Sequence, residues 1–113
     1  MHELGICDAM LKMVDKLAKD ENAEGVSRVT VEVGLLSGVV PKFLSDCWLA
    51  VIDGTEYADT ELKVEPLPGR ALCLDCGREF EAELEALTCP DCGGKKLTPL
   101  SGRDLTIKEI EIY

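Results

Sequence analysis

Two Cys-x-x-Cys pairs constrain the fold of this chain more than any other feature of its sequence. Cys73 and Cys76 form the first pair, Cys89 and Cys92 form the second, and twelve residues separate the pairs. Each pair can hold two thiolates on one tight turn, and two facing turns complete a tetrahedron of sulfur. Glycine follows both pairs and lets the backbone turn its N–H groups toward the sulfurs. The spacing predicts a zinc ribbon with a structural metal, because four sulfur ligands leave no open coordination position.

Composition and charge limit the class of protein. The chain has 113 residues, 46% of them hydrophobic, so it can bury one conventional core. Its formal net charge of −10 opposes binding to phosphate backbones, and we expect no nucleic-acid partner. No window predicts a signal peptide or a membrane span. Together with the cysteine spacing, this favours a reducing cytoplasm over a compartment that forms disulfides.

Hydrophobic periodicity predicts two helices outside the zinc ribbon. Apolar residues at three- and four-residue steps predict a helix over 4–20, and Pro41 begins a second helix that stops near Gly54. Cys7 and Cys47 lie on the apolar faces of these helices, which indicates small core residues rather than a redox pair. The predicted apolar face of the second helix consists of Phe43, Leu44, Cys47, Trp48, Val51 and Ile52.

Alternating apolar and polar residues predict three strands. A half-buried strand covers 28–36, a short one lies around 62–64, and the last covers 104–112. The apolar residues of the last strand change phase at Lys108 and Glu109. This phase change predicts a β-bulge there, or a strand buried on both faces.

The order of these elements predicts an α+β fold, with two helices packed on a small mixed three-stranded sheet and a zinc-ribbon module inserted before the last strand. Residues 1–69 with 99–113 would form an α/β domain, and 70–98 the ribbon. We expect the strands on either side of the module to pair as a hairpin with the module at its tip. Prolines and glycines at both junctions predict that the module can move. Inside the module, four glutamates alternate with four apolar residues, which are Phe80, Ala82, Leu84 and Ala86. This alternation predicts a ribbon whose glutamates form one acidic face.

The first three residues form a second candidate metal site. His2 is the single histidine of the chain, and a lone histidine near a terminus is ordinarily a solvated side chain. However, the Met1 amine, the His2 amide nitrogen and His2 Nδ1 can close two adjacent chelate rings on one ion. Glu3 lies nearby as a further ligand, through its amide or carboxylate. Such a donor set suits Ni²⁺ or Cu²⁺ better than a closed zinc site.

Four segments together resemble the HypA/HybF family of hydrogenase-maturation nickel metallochaperones. These are MHEL over 1–4, GLLSGV over 34–39, the four-cysteine array, and LTIKEIE over 105–111. The resemblance spans essentially the whole chain, with its elements in order at similar spacing.

The resemblance implies a function and a set of site residues. His2 would be the essential nickel ligand, Glu3 its neighbour in the same motif, and the four cysteines the ligands of structural zinc. Members of the family deliver nickel to the large subunit of [NiFe] hydrogenase together with the GTPase HypB, and in some organisms they also supply urease maturation. Because this chain has no second histidine, the nickel ligands are expected in its N-terminal segment.

Other classes of protein stay open from the residues alone. A zinc-ribbon module could bind other proteins without transporting metal, and a Cys-Pro-Asp-Cys-Gly segment also resembles the iron knuckle of a rubredoxin-like electron carrier. We expect no enzymatic activity. With His2 assigned to metal binding, no histidine is left for acid–base chemistry, and the predicted zinc site has no open position.

Overall fold

The computed structural model describes residues 3–83 and 87–113. Within these residues the chain forms two helices and six strands, in the order α1 Glu3–Asp20, β1 Val26–Gly34, α2 Pro41–Ile52, β2 Glu61–Leu67, β3 Gly69–Cys73, β4 Glu79–Ala82, β5 Leu97–Pro99 and β6 Leu105–Ile112. Neither of these helices is long and apolar enough to span a membrane.

The first sheet has the strand order β2-β1-β6, and α1 and α2 pack on its apolar face. Strand β1 runs parallel to β2 and antiparallel to β6. Helix α2 makes the crossover that two parallel neighbours require. We call α1, α2, β1, β2 and β6 the helix–sheet unit. Its mixed sheet and two helices confirm the predicted α+β fold class.

The predicted hairpin between the strands flanking the ribbon is wrong. Strands β2 and β6 do not pair with each other, because both pair with β1 from opposite sides. Strand β1 carries Val29, Val31 and Val33, which are at most 2% exposed. A strand in the centre of the sheet has neighbours on both edges, so this position buries the most apolar strand most completely.

The predicted β-bulge in the last strand is confirmed. Thr30 lies opposite Glu109, whereas the next residue, Val31, lies opposite Ile107. Lys108 is therefore the extra residue of β6. The bulge brings the apolar residues before and after it to the same, helix-facing side of the sheet.

Helix α2 buries a narrower stripe than its sequence predicts. Leu44, Trp48 and Ile52, spaced four residues apart, are at most 2% exposed. Phe43, predicted on the same face, is 54% exposed. One residue along a helix is a rotation of about 100°, and the partners of α2 cover only the stripe that starts at Leu44. Cys7 is fully buried and its thiol donates to the Leu44 carbonyl at 3.3 Å, as expected of a core cysteine.

The second sheet, which we call the ribbon sheet, is antiparallel with the order β4-β3-β5. In the part of the ribbon that the structure describes, its buried core contains small residues and one aromatic ring. Leu35 and Leu36 pack against this core, although they directly follow β1 of the helix–sheet unit. This explains why β1 ends at Gly34 and not at 36 as predicted. The buried residues of the ribbon sheet are Ala71, Cys73, Phe80, Ala82 and Cys89.

The two sheets meet at a contact between three glycines. A Cβ on Gly34 would collide with the Gly102 carbonyl, and a Cβ on Gly69 would lie 2.9 Å from Leu36 Cγ. The Leu36 N–H donates to the Gly102 carbonyl at 2.7 Å. The chain leaving β1 is thus hydrogen-bonded to the linker that returns from the ribbon sheet to β6.

Candidate metal centre

Two backbone turns of the same construction present the four cysteines. The Cys73 carbonyl accepts the N–H of Gly77 at 2.8 Å, and the Cys89 carbonyl accepts the N–H of Gly93 at 2.8 Å. Both glycines have positive φ, +79° and +72°. Side chains other than glycine rarely adopt this conformation, so the glycine after each pair allows the turn to close.

The structure brings the four sulfurs of the predicted zinc site together. All four Sγ atoms lie within 4.8 Å of one another. The closest pairs cross between the two turns: Cys73 Sγ is 3.6 Å from Cys92 Sγ, and Cys76 Sγ is 3.6 Å from Cys89 Sγ. A metal 2.3 Å from four tetrahedral sulfurs sets them about 3.8 Å apart, so the cluster has the size that a tetrahedral thiolate site requires.

Backbone N–H groups donate to sulfurs of this cluster and favour ionisation most clearly at Cys89. The N–H of Asp91 donates to Cys89 Sγ at 3.4 Å, and the N–H of Gly94 donates to Cys92 Sγ at 3.4 Å. Hydrogen bonds from the N–H groups of Cys92 and Asp91 lower the pKa of the Cys89 thiol to about 7. Against the backbone N–H bonds that these sulfurs accept, burial and hydrogen bonds with neighbouring thiols raise the pKa of Cys76 to about 12 and also raise that of Cys92. Without a cation, the cluster therefore favours one thiolate, at Cys89, and the thiolate is the form that binds metal.

The acidic face predicted for the ribbon is present in the part of the ribbon that the structure describes. Phe80 and Ala82 of β4 are buried, whereas Glu79, Glu81 and Glu83 are exposed. Leu84 and Ala86, which continue the predicted alternation, lie outside the described residues.

The N-terminal candidate ligands are described only from Glu3 onward, because Met1 and His2 lie outside the described residues. Glu3 is the first residue of α1 and is 5% exposed. Its Oε2 accepts the N–H of Val40, the N-cap of α2, at 3.3 Å. The Glu3 carboxylate therefore joins the start of α1 to the start of α2.

Sequence reasoning missed this structural role of Glu3. In a capping box, the third helical residue accepts the N–H of the N-cap residue, but that residue in α2 is Phe43. Phe43 has no acceptor, and Val40 has no side-chain oxygen with which to cap the helix. An uncapped helix that starts Val-Pro was the available signal that an acceptor must come from elsewhere in the chain.

Glu3 and the cysteine cluster belong to different units of the fold but are both in contact with one connecting segment or its neighbours. Residues 35–40, which we call the exit segment, run from β1 to α2. Leu36 packs on the ribbon core that contains Cys73 and Cys89, and Val40 donates to Glu3. Among residues 3–83 and 87–113, the four cysteines form the single cluster of three or more Cys, His, Asp or Glu side chains close enough to share a metal.

Comparison with known proteins identifies the family. Residues 1–112 match the family model described as "Hydrogenase/urease nickel incorporation, metallochaperone, hypA". The chain is 34% identical to the hydrogenase maturation factor HypA of Rhodopseudomonas palustris strain TIE-1, covering 99% of both chains. It is 35% identical to that of Aquifex aeolicus, covering 99% of this chain and 97% of the relative.

The fold is also that of solved structures. The solution structure of the Ni metallochaperone HypA from Helicobacter pylori superposes with a TM-score of 0.67 at 20% identity, covering 99% of this chain and 97% of that chain. Proteins of this family are metallochaperones and maturation factors, so the expectation that this chain is not an enzyme is confirmed by its relatives. The match over the whole chain, together with the four-cysteine cluster, shows that the chain belongs to the HypA family of hydrogenase/urease nickel-incorporation metallochaperones.

Proposed function

We propose that this protein binds Ni(II) at its N-terminal segment and delivers it to the large subunit of [NiFe] hydrogenase. The observation that carries the proposal is the closed character of the cysteine cluster. Four sulfurs within 4.8 Å of one another fill a tetrahedral coordination sphere, and such sites hold their metal tightly. A cargo ion must exchange, so a nickel-incorporation protein needs a second, more open site.

The cysteine cluster is proposed to hold structural zinc through Cys73, Cys76, Cys89 and Cys92. A tetrahedral set of four thiolates suits Zn²⁺, which takes this geometry in structural sites. The chain would then consist of a nickel-binding α/β domain, 1–69 with 99–113, and a zinc-ribbon domain, 70–98.

The open site is proposed at the first three residues. The Met1 amine, the His2 amide nitrogen and His2 Nδ1 supply nitrogen donors in the near-planar arrangement that Ni²⁺ favours. Because the Glu3 carboxylate accepts the Val40 N–H, we assign Glu3 to nickel through its backbone amide, with its side chain fixing the segment against α2. A site at the end of the chain can release its ion when a partner offers better ligands.

Delivery requires partner proteins. We propose that the GTPase HypB acts with this chain in the cytoplasm, with the [NiFe] hydrogenase large subunit as recipient. In organisms that make urease, its maturation proteins would be further recipients. The family description, which names both hydrogenase and urease, supports this assignment.

The test is a nickel titration of tag-free protein already loaded with zinc. Binding is measured by calorimetry and by the absorption bands of Ni(II). We compare the native chain with His2→Ala and with a variant that carries one added N-terminal residue. Stoichiometric binding that is lost in both variants is the expected result. Cys47→Ser, a substitution on α2, is the matched control and should bind nickel as the native chain does.

Equal nickel binding in all variants would overturn the terminal site. The ribbon would then be better explained as a protein-interaction module without metal transport, the alternative left open by the sequence.

A further inference from the structure

We propose that an apolar groove on the ribbon sheet binds a segment of a partner protein in which an aliphatic side chain adjoins a carboxylate. The groove has a volume of about 290 Å³. It is lined by Leu36, Ala71, Leu87, Lys95, Leu97 and Pro99. The partner would be one that meets this chain during nickel delivery, and this biological role rests on the proposed function. The chemistry of the docked segment follows from the groove itself.

A small side chain leaves room for the groove. Ala71 lines it and is buried in the ribbon core, and its methyl group does not fill the space that a leucine would fill. Leu36 of the exit segment packs at the groove, and Leu87 lines it with 46% of its surface exposed. An open apolar groove of this size can take one aliphatic side chain, and burial of that side chain supplies the main favourable contribution to the binding free energy.

Lys95 determines which kind of segment fits. The chain has 12 Lys and Arg residues, and eight of them form ion pairs within 4.0 Å: Lys12, Lys16, Lys19, Arg28, Lys42, Lys63, Arg78 and Lys108. The other four have no ion-pair partner among the described residues: Arg70 in β3, Lys95 and Lys96 in the loop before β5, and Arg103 between β5 and β6.

The chain carries a formal net charge of −10. Carboxylates outnumber basic residues, yet Lys95 stands unpaired in this part of the structure, in the lining of an apolar groove. A carboxylate beside the inserted side chain would meet Lys95, which is exposed and supplies the positive charge of the groove lining. At physiological ionic strength, charges more than about 8 Å away are largely screened, so the net acidity of the chain does not prevent this contact.

The test uses ¹⁵N-labelled, zinc-loaded full chain without nickel, so failure of the groove and failure of the nickel site are separate outcomes. We titrate it with two capped peptides, Ac-Glu-Leu-Glu-Leu-Glu-NH₂ and Ac-Lys-Leu-Lys-Leu-Lys-NH₂. We expect saturable shift changes at the Ala71 and Leu97 amides for the acidic peptide, with a Kd in the millimolar range or tighter. The basic peptide should bind at least tenfold more weakly.

A charge reversal supplies the decisive variant. Lys95→Glu should bind the basic peptide more tightly than the acidic one, and Lys95→Met should bind the two peptides with equal affinity. Lys42→Glu, on α2, changes the net charge as Lys95→Glu does and should leave both affinities unchanged. Leu87→Ser should lower the affinity for both peptides.

Three results would overturn the proposal. The first is the absence of saturable shifts up to about 5 mM acidic peptide, a limit that corresponds to an interaction too weak to dock a partner. The second is equal affinity of the native chain for the two peptides. The third is a loss of affinity for the acidic peptide in Lys42→Glu that is as large as the loss in Lys95→Glu.

Discussion

The helix–sheet unit and the ribbon sheet are folded by different means. The helix–sheet unit buries large side chains, including Trp48, Leu44 and Ile52, between two helices and a sheet. Among the described residues, Phe80 is the one large side chain in the buried core of the ribbon sheet, and two of its five buried residues are cysteines of the cluster. One unit is stabilised mainly by apolar burial, and the other depends on four sulfur ligands.

This difference matches the division of roles that we propose. The helix–sheet unit needs no metal for its core, and we propose that it carries the exchangeable nickel site. The ribbon sheet would hold a structural metal, whose loss would remove the interaction that joins its two cysteine turns. Five perturbations, in order of decreasing expected effect, test this contrast.

Removal of the metal from the cysteine cluster should unfold the ribbon sheet and spare the helix–sheet unit. Structural zinc in small domains contributes an apparent binding free energy of about 10–16 kcal/mol, more than the ribbon's small core can replace. Amide signals of residues such as Ala71 and Phe80 should lose their dispersion after chelation or in Cys89→Ser, while those of β1 remain. Cys47→Ser is the control and should retain the metal. Dispersed ribbon signals in the metal-free protein would contradict the comparison.

Leu44→Ala should destabilise the helix–sheet unit without loss of metal. Leu44 is fully buried, and truncation of such a side chain costs about 2–5 kcal/mol through lost transfer energy and the remaining cavity. Urea unfolding followed by Trp48 fluorescence measures the change, and zinc content is assayed in parallel. Leu49→Ala, on the exposed side of the same helix, should change stability by less than about 0.5 kcal/mol. Loss of zinc in Leu44→Ala would show that the two units do not fold independently.

Gly34→Ala tests the contact between the units. The added Cβ would meet the Gly102 carbonyl, which is backbone and cannot rotate away, so we expect a loss of about 1–3 kcal/mol and shift changes on both sides of the junction. Gly5→Ala is the matched control, because a Cβ there meets nothing within 4 Å and lies on a helix. That substitution should stabilise by about 0.5–1 kcal/mol. Equal stability of the two variants would show that the three-glycine contact is not tight in solution.

Glu3→Ala should cost about 1 kcal/mol, because it leaves the Val40 N–H at the start of α2 without its acceptor. Glu3→Gln retains a carbonyl oxygen and should recover most of this loss. Thermal unfolding of both variants measures the effect, and the nickel titration described above shows whether the same substitutions alter the metal site. If the alanine and glutamine variants unfold at the same temperature, the carboxylate does not anchor the two helices.

The smallest effect is expected at Asp15 and concerns pH. Hydrogen bonds from Lys19 and then from Tyr57 lower the pKa of the Asp15 carboxyl below its ordinary value of 3.8. Because the folded-state pKa is lowered, this stabilisation is complete above the ordinary value and is lost as the pH falls toward the folded-state pKa.

Between about pH 5 and pH 3, the melting temperature of the native chain should therefore fall more than that of Asp15→Asn. Asp46→Asn is the control. It removes a comparable exposed ion pair on α2, Lys42–Asp46, to which no tyrosine donates a hydrogen bond in the described residues. A native chain and an Asp15→Asn variant with parallel pH profiles would exclude a contribution from Asp15.

Local patterns in the sequence were enough to predict much of this protein. The two Cys-x-x-Cys pairs predicted a four-sulfur cluster because each pair and its glycine form a self-contained turn. The alternating valines predicted β1, and the phase change near Lys108 predicted the bulge. The resemblance to HypA/HybF predicted a nickel metallochaperone, and membership of that family is confirmed.

The predictions that failed depended on contacts between distant segments. Whether β2 pairs with β6 or with β1 is decided by which arrangement buries the valines of β1, and no single strand carries that information. Phe43 has an apolar side chain at a helical position, but only the placement of α1 and the sheet against α2 determines which stripe is covered.

The sequence by itself determined the cysteine turns, the amphipathic elements and the family, because these depend on residues a few positions apart. Tertiary structure alone decided three features. It joined Glu3 to Val40 across 37 residues, brought Gly34 against Gly102, and left Lys95 in the lining of an open apolar groove. The first depends on how two helices pack on one sheet, and the other two depend on how the two sheets come together. The free energy of that packing is shared among residues that are neighbours only in the folded chain.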